Sequence, residues 1–306
     1  MRCVAHVHST YSDGSATVAE LRDAARAAGA HVLLLTDHDS QAARDNGEDG
    51  WGGDVLVVVG HEVSPRGGHL LVFGADRVVA HRGRDQREIL DAVAEADAVA
   101  YAAHPFSLGS AMSKRIGRPH PWETFAHPAL RGLEVWSHTT DVSEAWRHPV
   151  DAVRDLRDPL RSTLAGPPER HLREWDALSR AGVVLAALGG QDAHARGVRV
   201  RGRVRSVMPH DRWMDLVQTV LELERPLTGD DEADRAAVLD ALRAGRTAIA
   251  VPPLGDPLAQ PPPDAVERVV ELRGGWRRTE LLRPGPDGRL ARWILSSPVL
   301  SGSPRT

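Results

Sequence analysis

Seven short apolar stretches in this chain each abut a residue that can bind a metal, and this recurrence limits the fold more than any other feature. Val4-Ala5 leads into His6-Val7-His8, Val32 to Leu35 into Thr36-Asp37-His38-Asp39, and Val55 to Val59 into Gly60-His61-Glu62. Val99 to Ala103 ends at His104-Pro105, Leu133 to Trp136 at Ser137-His138, and Val183 to Leu188 at Gly189-Gly190-Gln191-Asp192-Ala193-His194. In the seventh, His69 precedes the run Leu70 to Phe73. A parallel barrel presents the carboxyl ends of its strands on one face, where its active site is built. If these strands close on one another, their polar ends converge, which points to an enzyme organised around a metal cluster.

Composition narrows the partners. A chain of 306 residues can bury a large core, as one big domain or two modest ones. A net charge of −4 supplies no electrostatic case for nucleic acid or a membrane surface. Lys114 is the only lysine, so any phosphate contact falls to it or to arginine. The single cysteine, Cys3, excludes an internal disulfide and a thiolate zinc site, and reads as a packed thiol in the first strand. No apolar run reaches the roughly 18 residues that span a bilayer. The opening residues lack a signal-peptide pattern, so a cytoplasmic protein is expected.

Strands and helices alternate, which favours a parallel α/β architecture. Thr17-Val18-Ala19-Glu20 fits a capping box that opens a helix stopped at Gly29. Asp85-Gln86-Arg87-Glu88 resembles a second helix start, and Pro168 occupies a first-turn position before Leu172, Trp175 and Leu178. A helix over Ala236 to Ala244 ends at Gly245. Residues 252–306 begin with proline pairs and triplets and then read as a small antiparallel meander over Arg268 to Leu272, Arg277 to Leu282 and Leu290 to Leu295. Three strands are marginal alone, so this tail is expected to dock on the 1–251 domain or on another copy of the chain in a homo-oligomer. Two stretches break the rhythm. Phe106 to Leu130, with Lys114, Arg115 and Arg118, is either a solvated loop or a substrate lid. Arg196 to Arg205 carries five arginines and reads first as solvated surface.

Each candidate ligand is weak alone. His6 and His8 alternate with Val7 and so share a strand face, yet chance pairs of this kind are common. Asp13 lies in Ser12-Asp13-Gly14, a frequent turn sequence. Asp37, His38 and Asp39 follow an apolar run, where burying them is costly unless they bind something. Glu62 can bridge two cations, and Asp192 alternates with His194. Together they are a strong signal. Histidine and carboxylate ligands suit Zn, Mn or Fe, and two such ions roughly 3.5–4 Å apart make a hydrolytic site. His61, out of phase with Glu62, is expected to face away, and the histidines outside these motifs read as structural.

The series His6-Val7-His8, Ser12-Asp13-Gly14, Thr36-Asp37-His38, Glu62, His104-Pro105, His138 and Asp192-Ala193-His194 resembles the PHP superfamily, named for polymerase and histidinol phosphatase. The resemblance covers about residues 3–250. It implies a distorted (β/α)7 TIM-like barrel, here followed by a short C-terminal β-meander, with a trinuclear centre of divalent Mn, Zn or Fe. By that resemblance His6, His8, Glu62 and Asp192 hold a first ion, and Glu62, His104 and His138 a second. Asp13, His38 and His194 hold a third. His69 in Gly67-Gly68-His69-Leu70-Leu71 is then a substrate or proton-transfer residue, Asp37 orients a ligand, and Glu134 supports one. Residues 6–21, 60–74, 241–251 and 291–300 are further similar to a branch that includes carbaryl-hydrolase-like metallohydrolases.

The expected function is a metal-dependent hydrolase of a small, phosphorylated substrate, with phosphomonoesterase or nucleotidase-like activity. Ions at such a site lower the pKa of bridging water to yield hydroxide near neutral pH. Lys114, Arg115, Arg118 and Arg196 would contact the phosphate, and His69 or Asp37 would assist the chemistry. Amide, ester or carbamate hydrolysis on the same centre is the first alternative. A non-catalytic regulatory module is the second.

Overall fold

The structure, a computed structural model, describes residues 1–112, 117–195, 197–200 and 203–300. It opens with β1 (Arg2–Val7), α1 (Val18–Ala27) and β2 (Val32–Leu35). The capping box that starts α1 is present: Glu20 N donates to Thr17 Oγ1, and Thr17 N donates to the Glu20 carboxylate. Val18, Leu21 and Ala25 form its buried face. Next come α2 (Ala42–Asp45), β3 (Gly50–Gly52), β4 (Val55–Val59), β5 (His61–Val63) and β6 (His69–Phe73). The Asp85–Glu88 capping box opens α3 (Gln86–Glu95), which leads to β7 (Val99–Ala103).

The Phe106 to Leu130 stretch carries no helix or strand among its described residues before β8 (Leu130–Ser137). Then follow α4 (His138–Ala145), α5 (Pro149–Arg157), α6 (Pro159–Leu164), α7 (Glu169–Arg180) and β9 (Ala186–Gly190). Pro168 caps α7 rather than occupying its first turn. After the hairpin β10 (Gly197–Val200) and β11 (Arg203–Ser206) come α8 (His210–Trp213), β12 (Gln218–Leu221) and α9 (Asp231–Ala244). Gly245, at φ 68°, ends α9 in the left-handed region. The chain closes with β13 (Thr247–Ala250), β14 (Val266–Glu271), β15 (Trp276–Pro284), β16 (Leu290–Ser296) and β17 (Val299–Leu300). No helix among the described residues is long and apolar enough to cross a membrane.

The architecture is mixed α/β, in two main sheets. One runs β14-β15-β16-β13-β12-β1-β2-β4-β3, with β17 on β15, and the other runs β5-β6-β7-β8-β9. β1-β2-β4 and β7-β8-β9 are parallel, as the alternation of strands and helices suggests. β6 departs from that expectation, because it is antiparallel to both β5 and β7. A short return through Gly67-Gly68, with Gly68 at φ 131°, reverses the chain there. The reversal explains why His69 precedes its apolar run: the amino end of β6 lies beside the carboxyl ends of β5 and β7, its antiparallel neighbours.

The two sheets meet along two seams. Only Gly60 separates β4 from β5, and beside it Glu62 N donates to Asp37 O and Asp39 N to Glu62 O. At the other seam Gln191 N donates to Ala5 O, Ala193 N to His6 O, and His8 N to Ala193 O. β1, β2, β4, β6 and β7 are buried along nearly their whole length. That burial accounts for their continuous apolar runs, since neither face meets water.

The C-terminal strands continue the larger sheet. β16 pairs antiparallel with β13 from Ala248–Ser296 to Ala250–Ile294. β15 then brings Arg278 onto α7, where Nε donates to Asp176 Oδ1 at 2.8 Å and Nη2 to Oδ2 at 3.1 Å. Arg278 also donates to Glu280 and lies over the ring of Trp175 at 5.4 Å. Its guanidinium is almost fully buried, so these partners are what make the burial tolerable. Asp176→Ala removes the two-pronged partner and is expected to lower unfolding stability by about 3 kcal/mol. Urea denaturation checks this; an unchanged midpoint would show that the network does not hold the tail in place.

Candidate metal centre

The strand ends do converge. Glu62, on β5 and wholly buried, is the hub. Its Oε2 lies 3.4 Å from His6 Nε2, 3.4 Å from His8 Nε2 and 3.0 Å from His38 Nδ1. Its Oε1 lies 3.4 Å from His104 Nε2 and accepts from His69 Nδ1 at 2.9 Å. Asp192 approaches the same pair of imidazoles, its Oδ1 3.5 Å from His6 Nε2 and 3.6 Å from His8 Nε2. Asp13 Oδ1 is 3.0 Å from His194 Nε2 and 3.7 Å from His38 Nε2. The rings crowd together: His8 stacks on His194 with centroids 4.1 Å apart and packs against His38 at 4.3 Å.

The 3.4–3.6 Å spacings around His6 Nε2 and His8 Nε2 are longer than hydrogen bonds and close to those of shared coordination. An N–H···O bond spans 2.7–3.2 Å. Two ligand atoms about 2.1 Å from one ion, at octahedral to tetrahedral angles, stand about 3.0–3.4 Å apart. His6 Nε2 and His8 Nε2 are buried and make no hydrogen bond, although carboxylate oxygens stand only 3.4–3.6 Å away. Buried polar nitrogens rarely go unpaired, so this donor set fits a divalent cation. Four groupings could each hold an ion: His6-His8-Asp192, His6-Glu62-His104, His38-Glu62-His69 and His8-Asp13-His38-His194.

Backbone strain is concentrated at the same residues. His6, His104 and Asp192 have φ of 58°, 32° and 48°, in the left-handed region that non-glycine residues avoid. Such conformations cost about 1–3 kcal/mol each and persist where the surroundings impose them. His6 is the extra residue of a bulge, since Ala5 pairs with Leu34 and Val7 with Leu35. The bulge, rather than simple strand alternation, aims its imidazole. Glu134 then fixes the ring: its Oε1 is 2.9 Å from His6 Nδ1, and its Oε2 accepts from His104 N at 2.9 Å. Only glycine fits at 190, where a Cβ would collide with the Glu134 carboxylate and the His6 Cβ. Thr140 Oγ1 donates to Asp192 Oδ2, and Ser64 Oγ contacts His38 Nδ1 at 2.7 Å.

The electrostatics are those of mutually supporting charges. Burial alone would push the Glu62 carboxyl up, but His6, His69, His104 and His38 hold it well below the usual range. Asp192 is held down against its own burial in the same way, chiefly by His6 and His8. Burial opposes protonation of His6, yet Glu134, Glu62 and Asp192 outweigh it and raise its pKa. His8, buried beside His194, is pushed down to about 3. A cation among these nitrogens would displace their protons, since imidazole ligates as the neutral base.

Not every expected residue joins the cluster. His138, at the start of α4, belongs to none of the four groupings; its Nε2 is 2.8 Å from Thr163 Oγ1 and its ring packs against Trp213. Burial depresses its pKa to about 3. The strand before it carries Glu134, which supports His6 and His104 as the resemblance implies for a residue behind the ligands. Asp37 is likewise spent on structure: Ser9 N and Ser12 Oγ donate to its Oδ1 and Ser9 Oγ to its Oδ2, which braces the loop behind His8. His61 faces away, bonded to Val79 N and Gln41, as its phase implies. Arg118 is exposed, while Lys114, Arg115 and Arg196 lie outside the described residues. His120 was not legible as a site residue, because no motif frames it. It stacks on His69 with centroids 4.0 Å apart.

No protein-family model matches this chain, and no curated protein matches it. Solved structures do. One is PsfC from Pseudomonas syringae PB-5123, with a TM-score of 0.50 and 12% identity over 82% of this chain and 91% of that one. Another is a two-domain protein from Bacteroides vulgatus ATCC 8482, described as containing a predicted PHP-like metal-dependent phosphoesterase. Its TM-score is 0.48 and its identity 13%, over 97% of this chain and 86% of that one. A third is an amidohydrolase from Chromobacterium violaceum, with a TM-score of 0.36 and 18% identity over 69% and 94%. At 12% identity the likeness to PsfC concerns the fold alone.

Two substitutions separate the roles. Glu62→Gln keeps the hub's shape and removes its charge. It is expected to lose at least one equivalent of metal, read by elemental analysis, while unfolding stays cooperative. His138→Gln is expected to retain the full metal complement; loss of an equivalent there would return His138 to the ligand set.

Proposed function

We propose that this chain is a metal-dependent hydrolase, and that its substrate is a phosphate ester. The observation that carries the reading is that the buried His6 Nε2 and His8 Nε2 make no hydrogen bond while carboxylate oxygens of Glu62 and Asp192 stand 3.4–3.6 Å away. Glu62, Asp192, His6, His8 and His104 would hold two ions, and Asp13, His38 and His194 a third. Such ions would supply a nucleophile near neutral pH and take up charge on phosphoryl oxygens. We further infer that the two sheets, joined at both seams, amount to a distorted seven-stranded barrel with the site at one mouth.

The chain's own residues complete the chemistry. His69 Nδ1 faces Glu62 Oε1, which leaves Nε2 as the nitrogen able to carry a proton to a leaving oxygen. Stacking on His120 restricts that ring's rotation. Thr140 and Glu134 keep Asp192 and His6 aimed inward. The exposed Arg118 lies on the segment that follows His104 and offers a cation to a phosphate dianion.

The test is hydrolysis by metal-loaded protein of a panel of phosphomonoesters, phosphodiesters and aryl carbamates. Phosphate esters are expected to turn over. Turnover of carbamates alone would put carbonyl hydrolysis in their place. Arg118→Ala is expected to raise KM for the phosphate ester about ten-fold with little change in kcat, the size of one lost charge-assisted hydrogen bond. Unchanged KM would remove Arg118 from the substrate site.

A further inference from the structure

A second cleft, of about 700 Å³, opens beside α4 and α6 against the turn that joins β15 to β16. That volume is in the range of small-molecule sites. Trp136, Leu164 and Leu290 supply apolar wall, and Asp141, a residue only 6% exposed, lines the cleft beside them.

Charge pairing singles out Asp141. The other carboxylates of the cleft each have an arginine: Asp155 has Arg161 at 3.8 Å, Glu169 has Arg292 at 2.7 Å, and Asp287 has Arg289 at 3.9 Å. Asp141 Oδ2 accepts from Ser137 N, but Oδ1 has no hydrogen-bond partner. Its nearest imidazole, His171, stands 3.6 Å away. That ring is already used on both sides, Nδ1 facing Val135 O and Nε2 facing Arg170. Burial and Arg170 hold His171 down to about 4, so it brings no charge. Glu144 is close enough to suggest a metal trio with Asp141 and His171, but Arg170 lies 2.7 Å from Glu144 Oε1 and occupies that place. A buried carboxyl without a counter-charge is costly, and here burial with Glu134 and Glu144 drives its pKa well above the usual range.

We propose that this cleft is a binding site, separate from the metal centre, for a small organic cation: an ammonium group that pairs with Asp141, carried on an apolar body that lies along Trp136, Leu164 and Leu290. The ammonium favours the ionised form of Asp141, which burial, Glu134 and Glu144 disfavour in its absence, and the apolar body displaces water from the wall.

The experiment titrates the full-length, metal-loaded protein with phenethylamine by calorimetry, and with phenethyl alcohol as a neutral probe of the same shape. Phenethylamine is expected to bind with a Kd of about 1 mM or tighter. The alcohol is expected to bind about ten-fold more weakly, and Asp141→Asn to weaken the amine by a similar factor, the effect of one charge-assisted hydrogen bond. Leu290→Trp, at an exposed position that leaves the core untouched, is expected to block the mouth and abolish binding. Absence of amine binding, equal binding of the alcohol, or wild-type affinity in either variant would overturn the proposal. None of these readouts depends on hydrolysis.

Discussion

The burial of Glu62 is the constraint on which the rest of this structure depends. A carboxylate removed from water is among the most expensive groups a protein can carry, unless charge and hydrogen bonds surround it. Four imidazoles do so here, those of His6 on β1, His69 on β6, His38 after β2 and His104 after β7. The backbone of the same residue stitches the two sheets together through Asp37 O and Asp39 N. The joint of the fold and the centre of the site are thus one residue, and neither can shift without the other.

Strain follows from that coincidence. His6, His104 and Asp192 adopt left-handed φ values in a region otherwise made of regular strands. The surrounding packing over-determines them: β1 is held by β2 on one side and by the 191–193 segment on the other, and Glu134 bonds both His6 and His104. Such residues trade stability for aim. Their clustering around unbonded imidazole nitrogens distinguishes this site from the buried but fully bonded histidines His61 and His171.

Beyond the site, charge pairing organises the later part of the chain. Arg278 fastens the C-terminal strands to α7 through Asp176, while Arg292 links Glu280 with Glu169. Asp141 lies nearby without such a partner, at the wall of a cleft. One helix, α4, therefore serves two environments: Thr140 reaches Asp192 at the candidate metal centre, and Asp141 lines the second cleft.

Much of this was legible in the sequence. Apolar runs buried on both faces announce their strands, the boxes at Thr17–Glu20 and Asp85–Glu88 announce helix starts, and a polar residue at the end of each run announces a shared edge. Those signals are local, because burial and capping act on residues near in sequence. Other features required the tertiary structure. The reversal of β6 brings His69, which opens its run, to the face where the other runs end. The bulge at His6 sets its aim, His138 turns to Thr163 rather than to the cluster, and Asp37 turns to Ser9 and Ser12 instead of the site. In each case the choice lies between groups far apart in the chain that compete for the same buried space. Spacing along a sequence carries no record of that competition, and only packing decides it.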